Sequence, residues 1–330
     1  MTTRPRIGVV GAGAWGTALA TVATQAGNHV VLWTRETDVV AEMATHGTNA
    51  RYLPGVKLDK NIHPTSDLAD LDNVEAILIV TPAQTIRAVV RMLAENLKKS
   101  VPLVLCAKGI ERESGQFMHE VARGEWPEAP LAVLSGPSFA DDVVRGLPTA
   151  VTLASEDEAL AQKLALQLSS GSFRIYHSED VRSVEIGGAA KNVFAIACGA
   201  VMGRGLGESA KAALMARSFA ELMRFASAYG GRPQTLMGLS GFGDMVLTCS
   251  TAHSRNFAFG ERLGKGASLE EASGGKLTEG VFTASVLVQM AQEKNIDMPI
   301  AQTIDAVLQS RLTLDEAVDV LMNRPLKREV

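Results

Sequence analysis

Cysteine is scarce in this chain. Cys106, Cys198 and Cys249 are the only three in 330 residues, and they are widely spaced. That argues against a disulfide framework and a cysteine-based zinc site, and a reducing compartment fits best. Charge of one sign is missing too. Lys and Arg number 32 against 36 Asp and Glu, a formal net charge of −4 with the six His neutral. Such a balance exerts no global pull on nucleic acid or an anionic membrane, so neither is expected as a partner. His29, His46, His63, His119, His177 and His253 lack metal-ligand spacing, so no metal site is expected. Long hydrophobic runs are absent as well. The longest, Val193 to Gly203, falls short of the ~20 residues that span a bilayer. It lies between Lys191 and Arg204 and reads as a buried core helix. The start of the chain runs straight from Arg4 and Arg6 into a glycine loop, without the longer apolar run and cleavage site of a signal peptide. A cytoplasmic protein with no membrane insertion is expected. There is no fixed-period repeat, nucleophilic triad or Walker-type phosphate loop.

What is present is globular composition, 46% hydrophobic and 21% charged, in a length that suits about two domains. The first half alternates short apolar runs with helical patterns. Arg6–Val10, Val30–Trp33, Ala76–Val80, Leu103–Cys106 and Leu131–Leu134 have the continuous hydrophobicity of strands buried on both faces. Ala150–Leu153 and Phe173–Tyr176 are weaker candidates. Capping-box patterns at Thr81-Pro82-Ala83-Gln84 and Ser155-x-x-Glu158 predict two helix starts. After about Asp180 no strand is expected. Helices are predicted over 181–203, 208–229, 279–294 and 313–322, with starts marked at Ser268-x-x-Glu271 and Thr313-x-x-Glu316. The fold class is therefore α/β: a Rossmann-like, doubly wound, mostly parallel sheet followed by an all-helical domain. The expected domains are a dinucleotide-binding domain over 1–180 and a helical substrate and catalytic domain over 181–330.

Gly11-Ala12-Gly13-Ala14-Trp15-Gly16 is a G-x-G-x-x-G loop between a predicted strand and helix. Gly11 permits the tight turn, Gly13 lets backbone approach a pyrophosphate, and Gly16 lets the helix pack on the sheet. The phosphates would rest on the free N–H groups of the helix start. The second strand ends Trp33-Thr34-Arg35-Glu36. An acidic residue there would bind the ribose hydroxyl of NAD, and an Arg can accommodate the 2′-phosphate of NADP. Arg35 leans the reading towards NADP(H), with NAD(H) also accepted.

In the helical half, Lys191 and Asn192 interrupt a stretch of small and apolar residues from Ile186 to Met202. A buried ammonium must find partners or lose its proton, and a lysine so tuned can exchange a proton with a substrate oxygen. A lysine snorkelling from a helix end is the plainer alternative. Gly187, Gly188, Ala189 and Ala190 would let substrate or backbone come close. Other polar clusters sit among glycines: Ala107-Lys108-Gly109, Ser135-Gly136-Pro137-Ser138, Gly241-x-Gly243-Asp244 and Ser254-Arg255-Asn256. The first two follow predicted strand ends, where open α/β sheets bind ligands. The last suits a phosphate ester at a helix start.

Taken together, these segments resemble the bacterial-type NAD(P)-dependent glycerol-3-phosphate dehydrogenases. The resemblance also runs through Asn49-Ala-Arg51-Tyr52-Leu53-Pro54-Gly55, Ala107-Lys108-Gly109-Ile110-Glu111, Thr248-Cys249 and Leu277-Thr-Glu279-Gly280-Val281, in family order along nearly the whole chain. It implies reversible oxidation of sn-glycerol 3-phosphate to dihydroxyacetone phosphate, supplying glycerophospholipid synthesis. By motif position Lys191 would be the proton donor and acceptor, with Lys108 and Asp244 completing the polar site around it. Gly136, Ser138, Ser254, Arg255 and Asn256 would hold the substrate. Gly11, Gly13, Ala14, Trp15, Gly16, Arg35, Lys108, Ala140, Arg255, Leu277 and Glu279 would contact the cofactor. A homodimer is expected. Three positions depart from common family patterns: Ala14 replaces a Ser, Asp142 a Glu, and Ala195 stands where related hydroxyacid dehydrogenases have Asn. The rival readings are a keto- or hydroxyacid reductase binding a carboxylate through Arg255, and a non-catalytic NAD(P)-binding sensor.

Overall fold

The structure is a computed structural model and describes residues 5–275 and 278–325. The chain forms two units, Met1–Glu111 with Gln116–Glu185, and Arg112–Gly115 with Ile186–Val330.

In the first unit the strands are β1 (Arg6–Val10), β2 (His29–Trp33), β3 (Thr48–Asn49), β4 (Leu53–Lys57), β5 (Ile62–Thr65), β6 (Ala76–Ile79), β7 (Leu103–Leu105), β8 (Leu131–Ser135), β9 (Thr149–Ala154) and β10 (Phe173–Ser178). Eight of them make one sheet in the order β10-β9-β8-β7-β6-β1-β2-β5. Neighbours are parallel except at β8 and β9. The helices are α1 (Ala14–Gln25), α2 (Thr37–His46), α3 (Ile86–Asn96), α4 (Met118–Glu125), α5 (Ala140–Val144) and α6 (Glu158–Leu168). Two apolar clusters, one on each face of the sheet strands, bury alternate residues: Ile7 and Val9 in one, Val10 and Ile79 in the other. The chain leaves β1 towards β2 on one side and later returns to β6 on the other. A crevice opens at such a reversal, beyond the carboxyl ends of β1 and β6.

Three strands escape the sequence reading. β5 contains Pro64 and is a sheet edge, the place where a missing N–H is tolerated. β4 carries Pro54 and Gly55 and pairs only with β3. Two expected caps also fail. Thr81 Oγ1 is buried without a partner among the described residues, and α3 starts at Ile86 after a short 3-10 turn. Asp157, not Ser155, caps α6 by accepting from Leu160 N–H at 3.2 Å. The Ser155 hydroxyl instead donates to Leu131 O. The boxes at Ser268 and Thr313 both form.

The second unit contains most of α7 (Val181–Gly203), then α8 (Glu208–Ala228), α9 (Pro233–Leu236), α10 (Asp244–Cys249), α11 (Arg255–Gly264), α12 (Leu269–Ser273), α13 (Glu279–Glu293), α14 (Pro299–Leu308) and α15 (Leu314–Met322). It has no strand among its described residues. The units part after Glu185, inside α7, rather than before residue 181. The cause is the grip of α4 on the first turn of α7. Glu185 accepts from His119 N–H at 2.8 Å and pairs with the His119 ring, while Arg182 pairs with Glu120 and stacks over Phe117. Arg112, in the short segment that goes with the second unit, stacks over Phe282.

Helix α7 corrects the membrane expectation in part. At 23 residues and mean hydropathy 1.4 it is long and apolar enough to cross a bilayer, because it extends well beyond Val193–Gly203. Yet 83% of its apolar window is buried inside the protein, which is the behaviour of a core helix. It packs backbone to backbone on α11. A Cβ on Gly199 or Gly203 would strike Phe257 O or Glu261 O, and one on Gly260 would strike Ile196 O. This close crossing fixes the start of α11 against the Lys191 turn of α7.

Candidate active site

The glycine loop has the geometry its spacing predicts. Gly11 has φ +109, and its N–H donates to Trp33 O at 2.9 Å, which ties the loop to the end of β2. A Cβ on Gly16 would sit 1.8 Å from Gly11 O, so only glycine fits there. Around Gly13 there is open space. Helix α1 starts at Ala14 with no side-chain cap and no acidic residue in its first turn, leaving its first N–H groups for an anion. Trp15 packs against the core beside Phe173. Arg35 is exposed beyond β2 and makes no ion pair among the described residues.

The same end of the sheet gathers Lys108, Gly136 and Ser138. Lys108 Nζ donates to Gly136 O at 3.0 Å, and Ser138 Oγ donates to the same carbonyl at 3.1 Å. Gly136 has φ +148, and a Cβ there would press on the Val151 backbone at 2.8 Å. Ala140 begins α5 just beyond. Trp33 Nε1, Thr81 Oγ1 and Ser135 Oγ lie at or just after the ends of β2, β6 and β8, buried and without hydrogen-bond partners among the described residues. Unpaired buried donors and acceptors are costly and rare, so three of them along one sheet edge fit a polar ligand. Together with the open Gly13 backbone, they fit a dinucleotide.

In the helical unit, Lys191 is 5% exposed and Asp244 1%. Their side chains form an ion pair, and Lys191 Nζ also donates to Thr248 Oγ1 at 2.8 Å. Thr248 reaches the same Asp244 oxygen at 3.3 Å. Of the two outcomes open to a buried ammonium, finding partners or losing its proton, the structure supplies partners: a counter-charge and a hydroxyl. A π-helical turn over Leu239–Gly243 presents Asp244 at the start of α10. At Gly187 the small residue admits backbone, because a Cβ there would meet Ser240 O at 2.5 Å.

Ser254 caps α11, its hydroxyl oxygen accepting from Phe257 N–H at 3.3 Å. Arg255 follows at the first helical position, exposed, with no ion pair among the described residues. A free guanidinium at a helix N-terminus is a fitting anion site. Asn256 is buried and held on both sides of its amide. Its Nδ2 donates to Asn192 Oδ1 at 2.9 Å, and its Oδ1 accepts from Gly280 N–H at 3.0 Å, linking α7, α11 and α13. Glu279 opens α13. Leu277 lies outside the described residues.

Sequence reasoning assigns no role to Thr248, although it stands in a quoted motif. Its signal is the i, i+4 spacing from Asp244, which puts both on one helix face. Thr81 reads in sequence only as a helix cap, since an unsatisfied hydroxyl is visible only once its surroundings are known.

Residues 6–161 match the family model for the NAD-dependent glycerol-3-phosphate dehydrogenase N-terminus, and residues 180–319 match that for the C-terminus. A relative from Azorhizobium caulinodans, named glycerol-3-phosphate dehydrogenase (NAD(P)+), is 59% identical over 98% of each chain. One of the same name from Methylobacterium radiotolerans is 56% identical over 100% of this chain and 99% of its own. The crystal structure of glycerol-3-phosphate dehydrogenase from Coxiella burnetii is similar with a TM-score of 0.93 and 38% identity, over 98% of this chain and 100% of that one. With both halves matched and the glycine loop and buried lysine in place, the chain belongs to the NAD-dependent glycerol-3-phosphate dehydrogenase family.

Proposed function

We propose that the protein interconverts dihydroxyacetone phosphate and sn-glycerol 3-phosphate with NADP(H) or NAD(H), leaning towards NADP(H). The observation that carries this is the buried Lys191, held by Asp244 and Thr248 within the mostly apolar stretch Ile186–Met202 of α7. When bound, the nicotinamide supplies the redox chemistry as a hydride. In the reducing direction the Lys191 ammonium gives a proton to the C2 oxygen of the substrate, and in the oxidising direction the amine takes it back. Asp244 and Thr248 orient the amine and balance its charge. Ser254, Arg255 and Asn256, with the N–H groups at the start of α11, hold the substrate and its phosphate. Gly136 and Ser138 contribute on the sheet unit, where Lys108 contacts substrate and cofactor. Gly11, Gly13, Ala14, Trp15, Gly16, Arg35 and Ala140 hold the dinucleotide, with Arg255, Leu277 and Glu279 contributing from the helical half. The sheet half is the dinucleotide-binding domain and the helical half the substrate and catalytic domain.

The test is reduction of dihydroxyacetone phosphate followed at the nicotinamide absorbance, with NADPH and NADH compared and 2- and 3-keto acids as controls. Turnover of dihydroxyacetone phosphate alone is the expected result. Turnover of a keto acid in its place would assign a hydroxyacid dehydrogenase instead. The proposal includes a homodimer, read by light scattering, and a cytoplasmic location, read by cell fractionation.

A further inference from the structure

The segment from Asn49 to Tyr52 has no part in proton transfer or phosphate binding, yet it reaches the nucleotide end of the sheet twice. Asn49 is fully buried, and its Nδ2 donates to Ala12 O and to Thr17 Oγ1, each at 2.8 Å. The turn between β3 and β4 is thereby fastened to the glycine loop. Within the same turn, Tyr52 N–H donates to Asn49 O. The Tyr52 hydroxyl then lies 2.8 and 3.0 Å from the two carboxylate oxygens of Glu36. Arg51 Nη1 is 3.4 Å from Glu36 and 3.1 Å from Asp38. The Tyr52 phenol is held in its protonated, donating form, its pKa raised first by the hydrogen bond to Glu36 and then by burial.

The location of Glu36 gives these contacts a consequence. It follows Arg35 just beyond β2, and the last carbonyl of β2, Trp33 O, accepts from Gly11 of the loop. A free carboxylate at this point favours a ribose hydroxyl and repels a 2′-phosphate, while a free guanidinium does the reverse. The chain places both side by side in sequence. Only one is free: Arg35 is unpaired among the described residues, and the Glu36 carboxylate is engaged by a phenol and a guanidinium while still partly exposed.

We propose that Tyr52 and Arg51 are specificity-determining residues: by holding the Glu36 carboxylate they let Arg35 receive the 2′-phosphate, so that NADP(H) is admitted beside NAD(H). The inference rests on the dinucleotide position proposed above. Neither residue needs to touch the nucleotide for this effect. Arg51 also offsets Asp38, the other carboxylate in this turn.

The experiment measures binding, not turnover. NADP+ and NAD+ are titrated calorimetrically into the full-length protein, its Tyr52→Phe and Arg51→Ala variants, their combination, and that combination carrying Glu36→Gln. The double variant is expected to lose about tenfold in affinity for NADP+ relative to NAD+, as a released carboxylate near a phosphate would cost about that much. Adding Glu36→Gln is expected to restore the ratio, because the amide keeps the shape without the charge. High salt should shrink the difference. Equal weakening of both nucleotides would mean that the turn only supports the loop, and would overturn the inference. So would failure of Glu36→Gln to restore the ratio. If the unmodified protein binds neither nucleotide, the proposed dinucleotide position is wrong and the inference falls with it.

Discussion

Lys191 on α7 and Asp244 on α10 stand 53 positions apart in sequence and form a buried ion pair, closed by Thr248 one helical turn beyond Asp244. Neither partner is safe alone. Removing one member of a buried pair leaves the other charged and unpaired, at a cost of about 3–5 kcal/mol. Lys191→Met should therefore lower thermal stability and reduce turnover by at least ~10²-fold, the low end for lost general acid–base help. Lys191→Met with Asp244→Leu should recover stability but not turnover. Near-normal turnover in Lys191→Met would remove the lysine from the chemistry.

Arg255→Ala should act on substrate binding. The side chain is exposed at the first position of α11 and ties down no other described element. The expected result is a raised KM for dihydroxyacetone phosphate, with an unchanged melting temperature. Dihydroxyacetone without its phosphate should be handled equally by both proteins. An equal defect with both substrates would refute the phosphate role.

Two glycines of the loop should separate folding from binding. Gly13→Ala meets open space and an ordinary φ of −65, so the fold should be kept while NAD(P)+ affinity falls. Gly16→Ala puts a Cβ 1.8 Å from Gly11 O, so both stability and affinity should fall. Melting curves and calorimetric titration of the two variants distinguish these outcomes.

Glu221 offers a pH test. It is 1% exposed on α8 and accepts from Ile300 and Ala301 N–H at the start of α14, at 2.7 and 3.1 Å. Burial pushes its pKa up from 4.5 to about 7, opposed by those two N–H groups and by Arg224, and reinforced by Asp297. The native protein therefore keeps this proton to higher pH than the unfolded chain does. Its contribution to stability is full below about pH 4.5 and is lost as pH rises towards 7. The loss amounts to roughly 3 kcal/mol. Denaturant unfolding across that range should show the wild type losing stability relative to Glu221→Gln. A flat difference would mean that the helix N-terminus keeps Glu221 ionised throughout.

The thiols should be silent. Cys106, Cys198 and Cys249 are all buried, and the Cys106 thiol is pushed well above its usual pKa by burial. The Cys249 thiol is raised first by its hydrogen bond with Cys198 and then by burial. A thiol reagent should find no reactive group in the native protein and three after unfolding. Fast labelling of the native state would contradict this burial.

Much of the architecture is legible in the residues themselves. Continuous apolar runs mark the buried strands, because both faces of a parallel sheet are covered. The glycine loop is legible because its constraints are steric and local: Gly16 has no room for any other residue. Caps are less secure. Ser268 and Thr313 satisfy their own helix starts, whereas Ser155 finds Leu131 O and leaves the cap to Asp157. A short hydroxyl side chain serves whichever partner the fold brings near, and sequence does not record distant partners. β4 and β5 are hidden for a related reason, since Pro54, Gly55 and Pro64 argue against strands except at an edge.

The sequence by itself determined the class of fold, the nucleotide loop and the identity of the buried lysine, because periodicity, glycine sterics and the cost of a charge in an apolar helix are properties of neighbouring residues. Only the tertiary structure decided that Thr248 joins Asp244 in holding that charge, which hydroxyls at the strand ends lack partners among the described residues, and that Glu36 is engaged by Tyr52 and Arg51 while Arg35 is unpaired among the described residues. Those depend on groups far apart in the chain, and the energy of a polar group is set by its partner rather than by its position in the sequence.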